Sequence, residues 1–175
     1  SSHKFRVLAR ANPSKKLNYI IAIPTLRCNL MCSYCQVSRA NEGAEGFDWS
    51  EQTLDYFVDY VGQNATEDVK IEFQGGEPSL RLDLVAAIVG QVKNIKPHSS
   101  FVICTNLSHL DPLLLSLLER DDFSISSSLD GPKEIHRANR TIDHKNTATF
   151  FENLDYVMDR FGSNKVSLLP TISDY

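Results

Sequence analysis

Cys28, Cys32 and Cys35 lie in the run Arg27-Cys28-Asn29-Leu30-Met31-Cys32-Ser33-Tyr34-Cys35, with the spacing C-x3-C-x2-C. Thiolates are soft ligands that suit iron–sulfur clusters or zinc. A [4Fe–4S] cluster has four irons, so three thiolates leave one iron open to bind a substrate or cofactor. The run therefore points to chemistry and not only to electron storage. A zinc site would need a fourth ligand, Cys104 or a histidine, and it usually pairs C-x2-C units; no second pair exists. Cys104 ends the apolar run Phe101-Val102-Ile103-Cys104 and is expected in the core. Four cysteines in 175 residues make no dense disulfide framework and fit a reducing cytosol better.

Two further segments carry candidate chemistry. In Gly75-Gly76-Glu77-Pro78 the glycines let backbone approach a ligand closely, and Glu77 can hold an ammonium group. A tight strand-to-helix turn explains the same residues. Arg140, with Arg137 nearby, lies in the long segment Asp130–Asn146, where it can grip a carboxylate by two prongs or stay solvated. His98, His109, His136 and His144 read as surface or loop histidines. Asp130 precedes Gly131-Pro132, so it either shapes that turn or touches a ligand.

The elements that must position these residues alternate. Tyr19–Pro24 reads as a strand ended by proline, and Ser50 with Thr53 opens a helix carrying Leu54, Phe57, Val58 and Val61. Val69–Phe73 alternates with period two, as a strand does. Leu82–Ile95 is helical with Leu84, Val85, Ile88, Val89 and Val92 on one face. Phe101–Cys104 is a strand, Asp111-Pro112 starts a helix, Phe123–Leu129 is a strand, Asn146 or Thr147 to Phe161 is a helix, and Val166–Leu169 is the last strand. This βαβαβαβαβ order predicts an α/β fold with a parallel sheet. The cysteine run, Gly75–Pro78, Thr105-Asn106 and Ser128–Pro132 each follow a strand, at the edge where such sheets build sites.

The bulk numbers exclude several classes. The chain holds 42% hydrophobic and 23% charged residues with a net charge of −4, so it presents no overall basic surface for nucleic acid or anionic membrane. No apolar run reaches a membrane span, and Ser1-Ser2-His3-Lys4-Phe5 does not read as a signal peptide.

Together these residues resemble the radical S-adenosylmethionine (radical SAM) enzymes: the C-x3-C-x2-C loop with Tyr34 before the third cysteine is that superfamily's signature, and Gly75-Gly76-Glu77-Pro78 is its second. Cys32–Arg39, Ile71–Pro78, Thr105-Asn106-Leu107 and Ser128–Pro132 look like the peptide-maturase branch, most like the His-Xaa-Ser system maturase and less closely like the anaerobic sulfatase-maturating enzymes. The resemblance implies a parallel partial (β/α)6 barrel over residues 18–175 behind an N-terminal extension, 1–17. Against that family pattern, the barrel is expected to be cut after about five strands, with any auxiliary-cluster domain absent. It also implies that Cys28, Cys32 and Cys35 hold a [4Fe–4S] cluster whose fourth iron takes the amine and carboxylate of S-adenosylmethionine. Gly75, Gly76 and Glu77 would receive the amine, Ser128 and Arg140 the carboxylate or ribose, Asn106 would lie near the cofactor, and Tyr34 beside the adenine. Reductive cleavage would yield a 5′-deoxyadenosyl radical that modifies a ribosomally made precursor peptide. A flavodoxin or ferredoxin would supply electrons in the cytoplasm, with no nucleic acid or membrane involved. Formylglycine formation in sulfatases, a SAM- or peptide-binding module without turnover, and a structural zinc protein are the other readings.

Overall fold

Each element begins where the sequence supplies its cap or its apolar periodicity. The computed structural model describes residues 16–172. In chain order the elements are β1 (Leu17–Thr25), the short β2 (Arg27–Cys28) and β3 (Ala40–Asn41), α1 (Glu51–Asn64), β4 (Ala65–Gly75), α2 (Leu82–Ile95), β5 (Ser100–Cys104), α3 (Pro112–Leu118), β6 (Phe123–Ser128), α4 (Lys133–His136), α5 (His144–Phe161) and β7 (Val166–Leu169). Ser50 caps α1 by accepting the Thr53 N–H, and Asp111 caps α3 by accepting that of Leu113. Gly162 ends α5 at φ 87°, a backbone angle glycine adopts without strain.

Five strands form one parallel sheet in the order β1-β4-β5-β6-β7, and β2 pairs with β3 apart from it. The fold class is thus the expected one. Register sets the two faces: Ile71 pairs with Phe101, and Phe101 with Phe123. These side chains point to the helices, and Phe73, Phe101 and Phe123 stack with centroids 6.2–6.5 Å apart. Val85, Ile88, Val92, Leu114, Phe150 and Val157 close that core from the helix side. The opposite face carries Glu72, Gln74, Cys104, Ser126 and Ser128 and stays open.

Several boundaries differ from expectation. β1 passes through Pro24 to Thr25, because its pairing with β4 shifts register between Ala22 and Thr25 and needs no Pro24 N–H. α5 starts at His144, since Asp143 rather than a later residue accepts the Asn146 N–H, at 2.8 Å. Asp130–Asn146 is not a plain loop: α4 runs into a π-turn over Arg137–Thr141, closed by Ile142 N–H to Arg137 O at 2.8 Å. The expected extension 1–17 lies outside the described residues except for its last two, and Leu17 already belongs to β1.

Candidate functional site

The cysteine loop leaves β1 at Thr25 and is fastened at its root. Arg27 donates to both Asp48 carboxylate oxygens at 2.8 Å, Thr25 donates to Asp48 at 2.6 Å, and Arg81 joins Asp48 at 2.8 Å. These contacts hold Asp48 down at about 2 against the upward push of burial. Further along, Asn29 donates to Ser108 at 2.7 Å and accepts from the Asn106 amide at 2.8 Å. The Ser33 N–H donates to the Asn139 carbonyl at 2.9 Å. The Tyr34 hydroxyl donates to Asp130 at 2.7 Å and accepts from Arg140, whose guanidinium also lies 5.8 Å from the Tyr34 ring. The loop is therefore pinned from β1, from the segment after β5 and from the π-turn.

The glycine turn serves the chain's own backbone. A Cβ on Gly76 would stand 2.6 Å from the Leu26 carbonyl oxygen and nearer still to that of Arg27; one on Gly75 would stand 2.7 Å from Ile23 Cγ2, and Gly75 has φ +125°. This close approach lets the Gly76 N–H reach Thr25 O at 3.1 Å and the Glu77 N–H reach Arg27 O at 2.7 Å. Glu77 is buried, and its carboxylate accepts the Ser79 N–H at 3.0 Å and the Asn106 N–H at 2.7 Å. Burial pushes it up despite these bonds. It thereby ties the glycine turn to the segment after β5, where Leu107 sits at φ 52° and its carbonyl accepts from Asn153 at 2.8 Å.

Cys28, Cys32, Cys35, Tyr34, Gly75, Gly76, Glu77, Asn106, Ser128 and Arg140 all line one cavity of about 440 Å³, within the usual range for small-molecule and cofactor sites. Burial raises the Cys28 and Cys32 thiols, while the nearby Arg140 partly offsets this at Cys32. Among the described residues no three ligating side chains converge as they would around a single metal ion. The three thiols share the wall of the cavity, and thiolates are the donors that suit an iron–sulfur cluster.

Two expectations are corrected, for Cys104 and His136, and the structure adds contacts at Asp130. Cys104 is not a core residue. Period-two alternation turns Phe101 and Ile103 to the helices and Cys104 to the cavity, where its thiol donates to Glu72 at 3.2 Å and is pushed up to about 12, by burial first and by Glu72 second. His136 is no surface histidine: it is fully buried, stacked on Phe150 at 4.1 Å. Asp130 does more than shape its turn, accepting from both Tyr34 and the Thr171 N–H. His98, His109 and His144 are exposed, as expected. Thr105 lines the cavity beside Asn106, as its place after a strand suggests; Gln74, Ser126 and Ser127 also line it and were not singled out as site residues in sequence, although the alternation of β4 and β6 was an available signal for Gln74 and Ser126.

The radical SAM superfamily profile matches residues 22–173. A cysteine-type anaerobic sulfatase-maturating enzyme of Clostridium perfringens is 29% identical over 133 residues, covering 71% of this chain and 35% of that protein. A GTP 3′,8-cyclase of Campylobacter jejuni subsp. doylei is 30% identical over 151 residues, covering 82% and 42%. The solved structure of anSMEcpe with bound AdoMet and a Cp18Cys peptide superposes with a TM-score of 0.72 at 23% identity, over 89% of this chain and 43% of that one, which shows a shared fold. The chain spans between about a third and three fifths of the length of the curated relatives it matches. With the profile spanning nearly all the described residues and the cysteine loop and glycine turn meeting at one cavity, the chain belongs to the radical SAM superfamily, and its cofactors are a [4Fe–4S] cluster and S-adenosylmethionine.

Proposed function

We propose that this chain is the core of a radical SAM enzyme that modifies a ribosomally made precursor peptide. The convergence of the three cysteines, the glycine turn and Arg140 on one cavity carries the reading. The similarity to sulfatase-maturating enzymes supports a peptide substrate. A [4Fe–4S] cluster held by Cys28, Cys32 and Cys35 with S-adenosylmethionine beside it would supply radical chemistry able to abstract a hydrogen atom from the substrate.

The chain's own residues do the rest. Cys28, Cys32 and Cys35 give up their protons as metal binds, which makes binding pH-dependent, and burial of Cys28 and Cys32 shifts that dependence toward higher pH. Backbone at Gly75 and Gly76 receives the cofactor amine. Glu77 keeps lone pairs beyond those taken by Ser79 and Asn106, and an ammonium beside it would offset the burial that raises it. Arg140 and Ser128 take the carboxylate or ribose, and Asn106 and Tyr34 flank the remainder. A low-potential flavodoxin or ferredoxin is the electron donor. The free thiols support a reducing, cytoplasmic setting, and among the described residues no helix is long and apolar enough to cross a membrane.

Anaerobic reconstitution with iron and sulfide, then dithionite and S-adenosylmethionine, tests this. About four irons per chain and 5′-deoxyadenosine are expected, both lost in Cys32→Ala. Unchanged cleavage in that variant, or one zinc without sulfide, would overturn it. Local similarity of Cys32–Arg39 and Thr105–Leu107 favours a His-Xaa-Ser peptide over a sulfatase peptide; parallel incubations with the two distinguish them.

A further inference from the structure

The open face of the sheet beside the cofactor cavity holds a charge that the cofactors do not use. Glu72 of β4 stands between Ile21 of β1 and Val102 of β5 in the strand register. One carboxylate oxygen accepts from the Gln74 amide at 2.5 Å and from the Cys104 thiol at 3.2 Å; the other accepts from the Tyr19 hydroxyl. Gln74 and Cys104 line the cofactor cavity, so Glu72 lies directly beside it.

Every one of these donors is neutral. None of the ion pairs among the described residues includes Glu72. The cation that acts on it is Lys70, two residues earlier on the same face, and the Lys70 ammonium is placed over the Tyr19 ring, 6.0 Å from its centroid. A half-buried carboxylate normally takes a cation or loses its charge. Here burial pushes the group up, but the three hydrogen bonds outweigh it and hold the carboxyl below its usual range. That makes Glu72 a poor proton acceptor near neutral pH, where an effective general base would have a matched pKa. It is instead a fixed anion held in orientation before any ligand arrives. Its surroundings suit an aliphatic stem ending in a charge: Ile21 and Ile23 of β1 are 47% and 40% exposed on this face.

We propose that Glu72 is the counter-charge for a cationic side chain of the substrate, a lysine or arginine whose stem lies along Ile21 and Ile23. The peptide part of this rests on the function proposed above; the cation site does not. Arg140 supplies a positive charge to the adjoining cavity, and Glu72 supplies a negative one beside it, through Gln74 and Cys104.

The test uses the anaerobically reconstituted chain with S-adenosylmethionine and three probes in equilibrium dialysis: Nα-acetyl-lysine methylamide, its neutral norleucine counterpart, and n-butylammonium. Wild type should prefer the lysine amide over norleucine by about tenfold, the scale of one charge-assisted contact, and added KCl should reduce the preference. Glu72→Gln should abolish it. Ile21→Lys places a cation at the exposed cross-strand neighbour and should abolish it too, with the Glu72 hydrogen bonds kept; this variant decides the matter where Glu72→Gln fails to fold. No preference in wild type, or a preference that survives either variant, overturns the proposal. Glu72-dependent binding of n-butylammonium without Glu72-dependent binding of the lysine amide leaves the cation site standing and removes the peptide reading.

Discussion

Replacing Gly76 by alanine puts a methyl group 2.6 Å from the Leu26 carbonyl oxygen and closer to that of Arg27, below the 3.0 Å that real Cβ atoms respect. Both obstacles are backbone, so no side chain can swing aside. The chain must move β4's end away from the cysteine loop. That costs about 1–3 kcal/mol as overpacking. It also stretches the Gly76 N–H to Thr25 O and Glu77 N–H to Arg27 O bonds, each worth about 1 kcal/mol. The total of about 3–5 kcal/mol should lower the midpoint of thermal unfolding by roughly 6–20 °C for a chain of this size. Because Arg27 adjoins Cys28, iron bound after reconstitution should fall as well. Gly90 is the control: it is exposed within α2 with nothing within 4 Å of a Cβ. Gly90→Ala should raise stability by about 0.5–1 kcal/mol through helix propensity alone, with iron unchanged. Differential scanning calorimetry and iron analysis read both variants. A Gly76→Ala protein that melts within a degree of wild type and loads iron normally would refute the packing argument and leave ligand approach as the reason for that glycine.

Two further perturbations follow from the charges. His136 is pushed down to about 4, by burial first and by Arg140 second, so it is neutral when folded and titrates near 6.5 when unfolded. Its folded pKa is the lower one, so its contribution is complete above about 6.5 and is lost as pH falls from there toward about 4; urea midpoints at pH 7.5 and 5.0 should differ, and His136→Leu should shrink that difference. Asp48→Asn removes the shared partner of Arg27 and Arg81 and should cost about 1–3 kcal/mol, with reduced iron retention under a chelator; full retention with unchanged stability would show that the cysteine loop is held by its other ties.

The elements were legible because their signals are local. α2 is bounded as its apolar spacing and Pro97 indicate, and α3 starts at the Asp111 cap. The rim of the site was legible for the same reason, since its residues sit in strand-following loops of distinctive composition. Other features depend on which neighbour arrives from far along the chain. The sequence around His136 shows no apolar periodicity, and Ile135 and Ile142 beside it are exposed; its burial comes from Phe150 and Phe151 of α5. Phe101–Cys104 is apolar throughout, so its alternation is invisible and Cys104 looks like core. A glycine pair advertises a close approach without saying whether ligand or backbone makes it.

The floor of the site escaped notice for one topological reason. In Val69-Lys70-Ile71-Glu72-Phe73 the alternation is plain, and a polar strand face ordinarily means water. Whether it does depends on where the crossover helices lie. Here the core-forming residues of α1, α2, α3 and α5 all join the Phe73–Phe101–Phe123 side, so the face carrying Glu72 and Gln74 is left uncovered beside the cysteine loop. On the functional reading proposed above, its polar residues serve the cavity that Gln74 and Cys104 line. The donors gathered on Glu72 from β1, β4 and β5 are what an ionised carboxylate needs to stay charged in a partly buried place, and solvent alone would not have required them.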